Sequence, residues 1–253
     1  MKKKLTLLLF ITLLFGYKAH SQSTFLGADK LNFFYYYQNN EIVKLDSTWK
    51  KHSSFSNIFV DNKIQLDLFN PLQPVVFSTN SRSIIWLDKY LSKIAELSFD
   101  NINVDNPVSF CVSIESGFWI ISDDHFSLYR VNKDGSVKFS TTLPDFFQKN
   151  CDDKTPITIK EHNNSVYIYH KNTGLLIYDV FGNFLFSLPT YNGNSIAFTN
   201  SKVAIIQPEQ IVLYNIITKE KTIINRPKQA KDIFAFKEKL AYFDLIHKIH
   251  FLD

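Results

Sequence analysis

Short runs of apolar and β-branched residues recur along the chain, and each run closes on a polar residue. The six runs are Ile42 to Asp46, Ile84 to Asp88, Phe126 to Arg130, Leu175 to Asp179, Ile211 to Asn215 and Ile249 to Asp253. Their closing residues are spaced by about forty positions, a period typical of folds built from stacked supersecondary units. The sequence therefore predicts six structural repeats.

Each run is predicted to be the second strand of a hairpin. Another apolar stretch precedes it, as in Phe33 to Tyr37, and turn formers such as Asn39-Asn40 lie between the two. From the second repeat on, a further strand-like stretch lies upstream, and a more polar one lies downstream of most hairpins. Four short antiparallel strands in about forty residues form one blade of a β-propeller. We predict an all-β fold, a single six-bladed propeller over residues 22–253 with about 23 strands.

Ring closure is predicted at the two ends of the chain. Asp253 falls at the third strand of the sixth repeat, so the last blade lacks its outer strand. The N-terminal strand around Thr24-Phe25-Leu26 is expected to close the ring. It supplies either that outer strand or the inner strand of the first blade, and the pattern leaves both placements open.

Residues 1–21 have the pattern of a secretory signal peptide. Lys2, Lys3 and Lys4 precede an apolar core from Leu5 to Phe15, and cleavage is predicted between Ser21 and Gln22. The apolar core has about eleven residues, and a membrane-spanning helix needs about 20. We therefore expect an exported protein of the periplasm or the extracellular space, without a membrane span.

Composition supports a folded protein with no preference for nucleic acid. Hydrophobic residues make up 45% of the chain, too many for a disordered protein. The formal net charge of +4 belongs to the leader, because its removal takes four lysines and no acid and leaves 24 basic against 24 acidic side chains. Of the two cysteines, Cys111 is predicted to be a buried thiol, and its pairing with Cys151 stays open.

Motifs that carry chemistry are missing from the sequence. It contains no G-x-S-x-G, P-loop, dinucleotide fingerprint, H-E-x-x-H or C-x-x-C, so we expect neither catalysis nor a cofactor. Five acids lie near the ends of the predicted inner strands: Asp29, Asp67, Glu115, Glu161 and Asp232. We expect them to be solvated loop acids; the alternative is convergence on a cation, as in a lactonase-type hydrolase.

One insertion interrupts the repeat between the third and fourth units. It adds about seven residues within 144–154 and brings two adjacent phenylalanines into polar surroundings. Loops on a rigid scaffold carry function, and exposed aromatic rings anchor interfaces. The predicted partner-contact loop consists of Phe146, Phe147, Lys149, Asp152 and Asp153. The alternative is that the two rings fold back over a blade edge.

Several segments carry a resemblance to a known family. They are Phe25-Leu26-Gly27-Ala28-Asp29, Asn70-Pro71-Leu72, Trp86-Leu87-Asp88, and Tyr178-Asp179-Val180-Phe181-Gly182 leading to Leu188-Pro189. In these segments the chain resembles a family of exported Bacteroidota β-propeller proteins with WD40/NHL-like repeats. The resemblance implies the fold and export, and it assigns no active residue because the family carries no motif of assigned chemistry.

The leading functional hypothesis is a non-catalytic periplasmic interaction scaffold. Its expected partner is a protein, in an outer-membrane assembly or type IX secretion complex. The alternatives are a propeller that binds or senses a small molecule or glycan in its central channel, and a metal-dependent lactonase-type hydrolase.

Overall fold

The computed structural model describes residues 23–56, 64–151 and 156–252. The described part of the chain contains 23 β-strands in six antiparallel sheets, which are the six blades of a β-propeller. This confirms the predicted fold and blade number. The predicted signal peptide, residues 1–21, lies outside the described residues.

The strands follow one another blade by blade along the chain. Blade 1 consists of β1 (Thr24–Ala28), β2 (Phe34–Gln38), β3 (Glu41–Leu45) and β4 (Lys51–Ser56). Blade 2 consists of β5 (Ile64–Asp67), β6 (Val75–Ser78), β7 (Ser83–Leu87) and β8 (Lys93–Ser98). Blade 3 consists of β9 (Pro107–Val112), β10 (Phe118–Ser122), β11 (Ser127–Val131) and β12 (Val137–Thr142).

The second half of the chain repeats this order. Blade 4 consists of β13 (Thr158–His162), β14 (Ser165–His170), β15 (Gly174–Asp179) and β16 (Phe184–Leu188). Blade 5 consists of β17 (Ser195–Phe198), β18 (Lys202–Ile206), β19 (Gln210–Asn215) and β20 (Lys221–Asn225). Blade 6 consists of β21 (Ile233–Phe236), β22 (Lys239–Phe243) and β23 (Ile249–Leu252). One short helix, α1 (Asp145–Asn150), links blades 3 and 4.

The first strand of each blade lies at the centre of the ring. β1, β5, β9, β13, β17 and β21 contact one another in this order, and β21 contacts β1. Both faces of the middle strands are covered because neighbouring blades stack on them. In β2, for example, the aromatic residues Phe34 to Tyr37 are all buried.

The core is divided into six hydrophobic clusters, one at each interface between neighbouring blades. The interface between blades 6 and 1 is the most aromatic of them. There Phe34, Tyr36, Phe234, Phe236 and Phe243 are buried together. The fold is thus held by inter-blade packing rather than by one central core.

The N-terminal strand closes the ring by packing. β1 pairs with β2, so of the two predicted placements the inner strand of the first blade is the one observed. Its Phe25 ring lies 5.0 Å from the ring of Phe234 and 5.4 Å from that of Phe243 in blade 6. The outer-strand placement is wrong, because β1 is already paired at the centre of the ring.

No helix among the described residues is both long and apolar enough to cross a membrane.

Candidate functional site

The connections between the first and second strands of the blades form one face of the ring. These inner loops are 29–33, 68–74, 113–117, 163–164, 199–201 and 237–238. Hydrogen bonds between the loops of blades 4, 5 and 6 place them side by side. Asn163 Nδ2 donates to Asn200 O at 2.7 Å, and Asn200 Nδ2 donates to Glu238 Oε2 at 2.6 Å. We call this surface the inner-loop face.

The inner loops of blades 1 to 3 are longer and more apolar than those of blades 4 to 6. They expose Leu31, Phe69, Leu72 and Ile114, with 39% to 58% of each residue accessible to solvent. The loops of blades 4 and 6 have only two residues each, Asn163-Asn164 and Lys237-Glu238, all with positive φ. Such a two-residue turn suits the twist of a hairpin, and in these two blades it carries only polar side chains.

A cleft of about 280 Å³ opens between blades 2 and 3 on the same face. Its aromatic lining comes from Phe69, Trp86 and Phe118. Its polar lining includes Asn70, Gln73, Ser113, Glu115, Ser116 and Lys133, together with Asp67 at its base. This combination of aromatic, amide, hydroxyl and opposite charged groups suits an uncharged or zwitterionic polar ligand better than an anion.

Asp67 ties together the inner strands of three blades. Its Oδ1 accepts a hydrogen bond from Phe69 N at 2.8 Å. Its Oδ2 accepts from Val112 N at 3.2 Å and from Lys160 Nζ at 2.8 Å. Burial is the largest single influence on Lys160 and lowers its pKa, but the interactions with Asp67, Cys111 and Glu161 together outweigh it, so the pKa is raised above its ordinary value. The ammonium group of Lys160 is therefore charged at neutral pH.

The inner loop of blade 3 is anchored from below by two buried charged side chains. Glu161 Oε2 accepts from Trp119 Nε1 at 2.6 Å, and its Oε1 accepts from Ile114 N at 3.3 Å. Arg130 donates to Ser116 O at 2.6 Å. Gly117 has a left-handed φ of 76°, and a Cβ at this position would collide with the carbonyl oxygen of Val131. Only glycine fits here. The loop that carries Ile114 is thus fixed in position.

Three of the five predicted loop acids are buried, so the expectation that they are solvated is wrong for Asp29, Asp67 and Glu161. Asp29 accepts hydrogen bonds from Leu31 N, Phe33 N and Tyr35 Oη. Backbone N–H donors at the strand ends explain this burial, because they satisfy the carboxylates away from water. Glu115 is exposed and Asp232 is half-buried. No group of three or more His, Cys, Asp or Glu side chains within the described ranges could hold a metal ion.

The predicted contact loop contains one buried and one exposed ring. Phe147 packs in the interface between blades 3 and 4, with its ring 6.3 Å from Phe126 and 6.0 Å from His170. Phe146, on the same helix α1, is 41% exposed, and Lys149 is exposed. Asp152 and Asp153 lie outside the described residues. The contact role of this segment stays a prediction, and Phe147 in its observed position contributes to the core.

The two cysteines are not joined by a disulfide in the described structure. Cys111 is buried as predicted, and burial raises the pKa of its thiol far above the ordinary value. It is therefore uncharged and protected from solvent.

Nothing in the sequence indicated the Asp67–Lys160 pair, because its members lie 93 positions apart. The sequence does contain a sign that the inner loops of blades 1 to 3 differ from those of blades 4 to 6. The segments between the first two apolar stretches of each repeat are longer and richer in Leu, Ile and Phe in blades 1 to 3. A comparison of the lengths of these segments between the six repeats would have revealed the difference.

No protein-family model and no curated protein sequence matches the chain. Solved structures do match. The WD40 domain of Pan2 from Neurospora crassa has a TM-score of 0.61 at 8% identity, over 96% of this chain and 79% of that one. A streptogramin B lyase has a TM-score of 0.60 at 14% identity, over 92% of this chain and 87% of that one. BamB from Moraxella catarrhalis has a TM-score of 0.50 at 13% identity, over 94% and 73%. At these identities the likeness is one of fold, that of a β-propeller.

Proposed function

We propose that the chain is an exported, non-catalytic β-propeller that binds a partner protein through the inner-loop face of blades 1 to 3. The partner we propose belongs to an outer-membrane assembly or type IX secretion complex. One observation carries this proposal: three consecutive inner loops expose Leu31, Phe69, Leu72 and Ile114. Exposed apolar side chains grouped on one surface are typical of interaction sites.

The three loops that carry these side chains adjoin one another across blades 1 to 3. Lys30, next to Leu31, places its ammonium 5.9 Å from the ring centre of Phe69 and so joins the loops of blades 1 and 2. Phe69 and Ile114 line the same cleft and join blades 2 and 3. Because buried hydrogen bonds fix these loops, binding would cost little ordering entropy.

The test uses tagged protein that starts at Gln22, incubated with membranes from the cells that produce it. Leu72→Ser and Ile114→Ser should each weaken recovery of a specific partner, by roughly 2 kcal/mol if the side chain anchors the interface. Their melting temperatures should hardly change, since exposed side chains contribute little to stability. Ile217→Ser is the matched control, because Ile217 is an exposed isoleucine in a blade 5 loop. Equal partner recovery in all three variants would refute the proposal.

The cleft between blades 2 and 3 supports a second candidate function, the binding of a small neutral glycan. Its volume of about 280 Å³ suits one or two sugar rings, and its lining offers aromatic faces beside amide and carboxylate groups. Calorimetric titration with a panel of mono- and disaccharides tests it. A sugar that binds should lose affinity in Glu115→Gln and Phe69→Ala and keep it in Phe181→Ala, an exposed control on blade 4. Absence of heat with every sugar would exclude this candidate.

A further inference from the structure

The connection between blades 4 and 5, residues 189–194, contains the only Asn-Gly dipeptide of the chain, Asn192-Gly193. Asparagine is a thermolabile residue. Its deamidation is easiest before glycine, because glycine has no side chain to hinder the attack of its backbone nitrogen on the asparagine amide. Asn192 is exposed, so water reaches its side chain.

Gly193 is required at this position by close packing. It is buried, and a Cβ here would lie 2.3 Å from Tyr169 Oη and 2.6 Å from Ile205 Cγ2. Both distances are too short for a real contact, and Tyr169 and Ile205 belong to the core between blades 4 and 5. A larger residue, which would slow deamidation, therefore does not fit after Asn192.

Two successive N–H groups hold the dipeptide in place. Asn192 N donates to Lys171 O at 2.8 Å. Gly193 N donates to Tyr169 Oη at 2.7 Å in a buried hydrogen bond. The nitrogen that would attack the Asn192 amide is thus already engaged, and it becomes available only after this hydrogen bond breaks.

We propose that Asn192 is a latent deamidation site, and that the hydrogen bond from Gly193 N to Tyr169 Oη holds the reaction back in the folded protein. When the connection opens, Gly193 N bonds to Asn192 Cγ, and the bond from Cγ to Nδ2 breaks. Ammonia leaves with the proton from Gly193 N, and a cyclic imide remains. Water then adds to either carbonyl of the imide and opens it to aspartate or isoaspartate, so the reaction needs no oxidant or reductant.

The isoaspartate product does not fit the closed connection. It adds one methylene to the main chain next to Gly193, which has no free space around it. On the far side of the dipeptide, Asn194 N is bound to Ile206 O at 2.7 Å. The reaction therefore marks chains whose connection has opened, and it loosens the packing of blades 4 and 5.

The first test compares folded and unfolded protein at neutral pH, with the conversion of Asn192 followed by peptide mass spectrometry. Tyr169→Phe removes only the acceptor oxygen and leaves the Gly193 N–H buried without a partner. It should accelerate the conversion in the folded protein by roughly tenfold. In guanidinium chloride, where the hydrogen bond is absent from both proteins, the variant and the wild type should react equally fast.

Tyr167→Phe is the matched control. Tyr167 is buried on the same strand, β14, and its hydroxyl has Ser165 as its partner. This variant should convert Asn192 at the wild-type rate. Equal rates for Tyr169→Phe and the wild type would overturn the proposal. Equal acceleration in both variants would also overturn it, because a general loss of stability would then explain the effect.

A second measurement needs only the wild type and decides the matter if Tyr169→Phe does not fold. Amide exchange of Gly193 and deamidation of Asn192 both require the same hydrogen bond to break. Denaturant added in steps below the unfolding transition should therefore raise the two rates in parallel. Deamidation that is as fast in the folded protein as in the unfolded chain, or that does not follow the exchange of Gly193, would refute the proposal.

Discussion

The two halves of the inner-loop face satisfy their polar groups in different directions. In blades 4 to 6 the loop side chains bond to one another along the surface, as Asn163 does with Asn200 and Asn200 with Glu238. In blades 1 to 3 the polar anchors lie below the loops, as Asp67 and Glu161 do, and apolar side chains project outward. Blades 4 to 6 thus have a surface that is closed by hydrogen bonds, whereas blades 1 to 3 leave apolar side chains exposed.

Charges buried under a loop are costly and stabilise little compared with apolar packing. Their presence under blades 2 to 4 is therefore better explained by the positions that they impose on Phe69 and Ile114. The loops of blades 4 and 6 need no such support, because two-residue turns are fixed by their own geometry. Under the proposed function, rigidity in blades 1 to 3 would serve binding, whereas in blades 4 to 6 it would serve only the fold.

The largest expected effect concerns the candidate contact loop, which lies outside the inner-loop face. Phe147→Ser should lower the free energy of unfolding by about 4 kcal/mol, because it removes a fully buried ring from the interface between blades 3 and 4. Phe146→Ser on the same helix should change it by less than about 0.5 kcal/mol. Denaturant unfolding measures both.

Partner recovery with Phe146→Ser then decides whether this segment is a second contact surface. A stable Phe146→Ser protein that loses its partner would support the predicted contact loop. Full retention of the partner would confine binding to surfaces elsewhere. Equal stability losses for the two variants would contradict the observed packing of Phe147.

The second-largest expected effect compares the anchoring of the loops in the two halves of the inner-loop face. Glu161→Ala should cost about 3 kcal/mol of unfolding free energy, because Trp119 Nε1 is left buried without its acceptor. Amide exchange in loop 113–117 should accelerate. Asn200→Ala, in the loop of blade 5, removes one exposed hydrogen bond to Glu238 and should cost about 0.5 to 1 kcal/mol. Comparable losses for both would show that Glu161 does not anchor the loop.

The repeat pattern was enough to predict the blades, because strand burial imposes the same spacing of apolar residues on every repeat. The placement of β1 was open, since an apolar strand fits either edge of a closed ring. The burial of Asp29, Asp67 and Glu161 could not be read from the sequence. Whether a carboxylate is solvated depends on N–H donors and cations that the fold brings from other blades, such as Lys160.

The adjacent residues Phe146 and Phe147 also show that burial could not be predicted from residue type alone. Phe146 and Phe147 have identical chemistry, and only the helical geometry of α1 decides which ring faces the core. The sequence analysis predicted a contact loop in this insertion and did not predict the helix. The candidate surface on the inner loops was likewise missed, because loop side chains were judged by their chemistry and not by the face that they share.

The smallest expected effect is a pH dependence that belongs to the polar half. His162 lies at the end of β13, and its Nε2 is 2.9 Å from Thr199 O. Burial lowers the pKa of His162 below its ordinary value of 6.5, and the nearby Lys160 and Lys30 act in the same direction. The unfolded chain therefore binds a proton at His162 more readily than the folded protein does. Stability from this group is complete above pH 6.5 and declines as the pH falls through the interval between the unfolded and folded pKa values.

The melting temperature of the wild type, followed from pH 7.5 to 5, should fall more steeply than that of His162→Gln, which keeps a donor for Thr199 O. Parallel curves for the two proteins would show that His162 titrates alike in the folded and unfolded states, and the hydrogen bonds of the polar half would then be independent of pH.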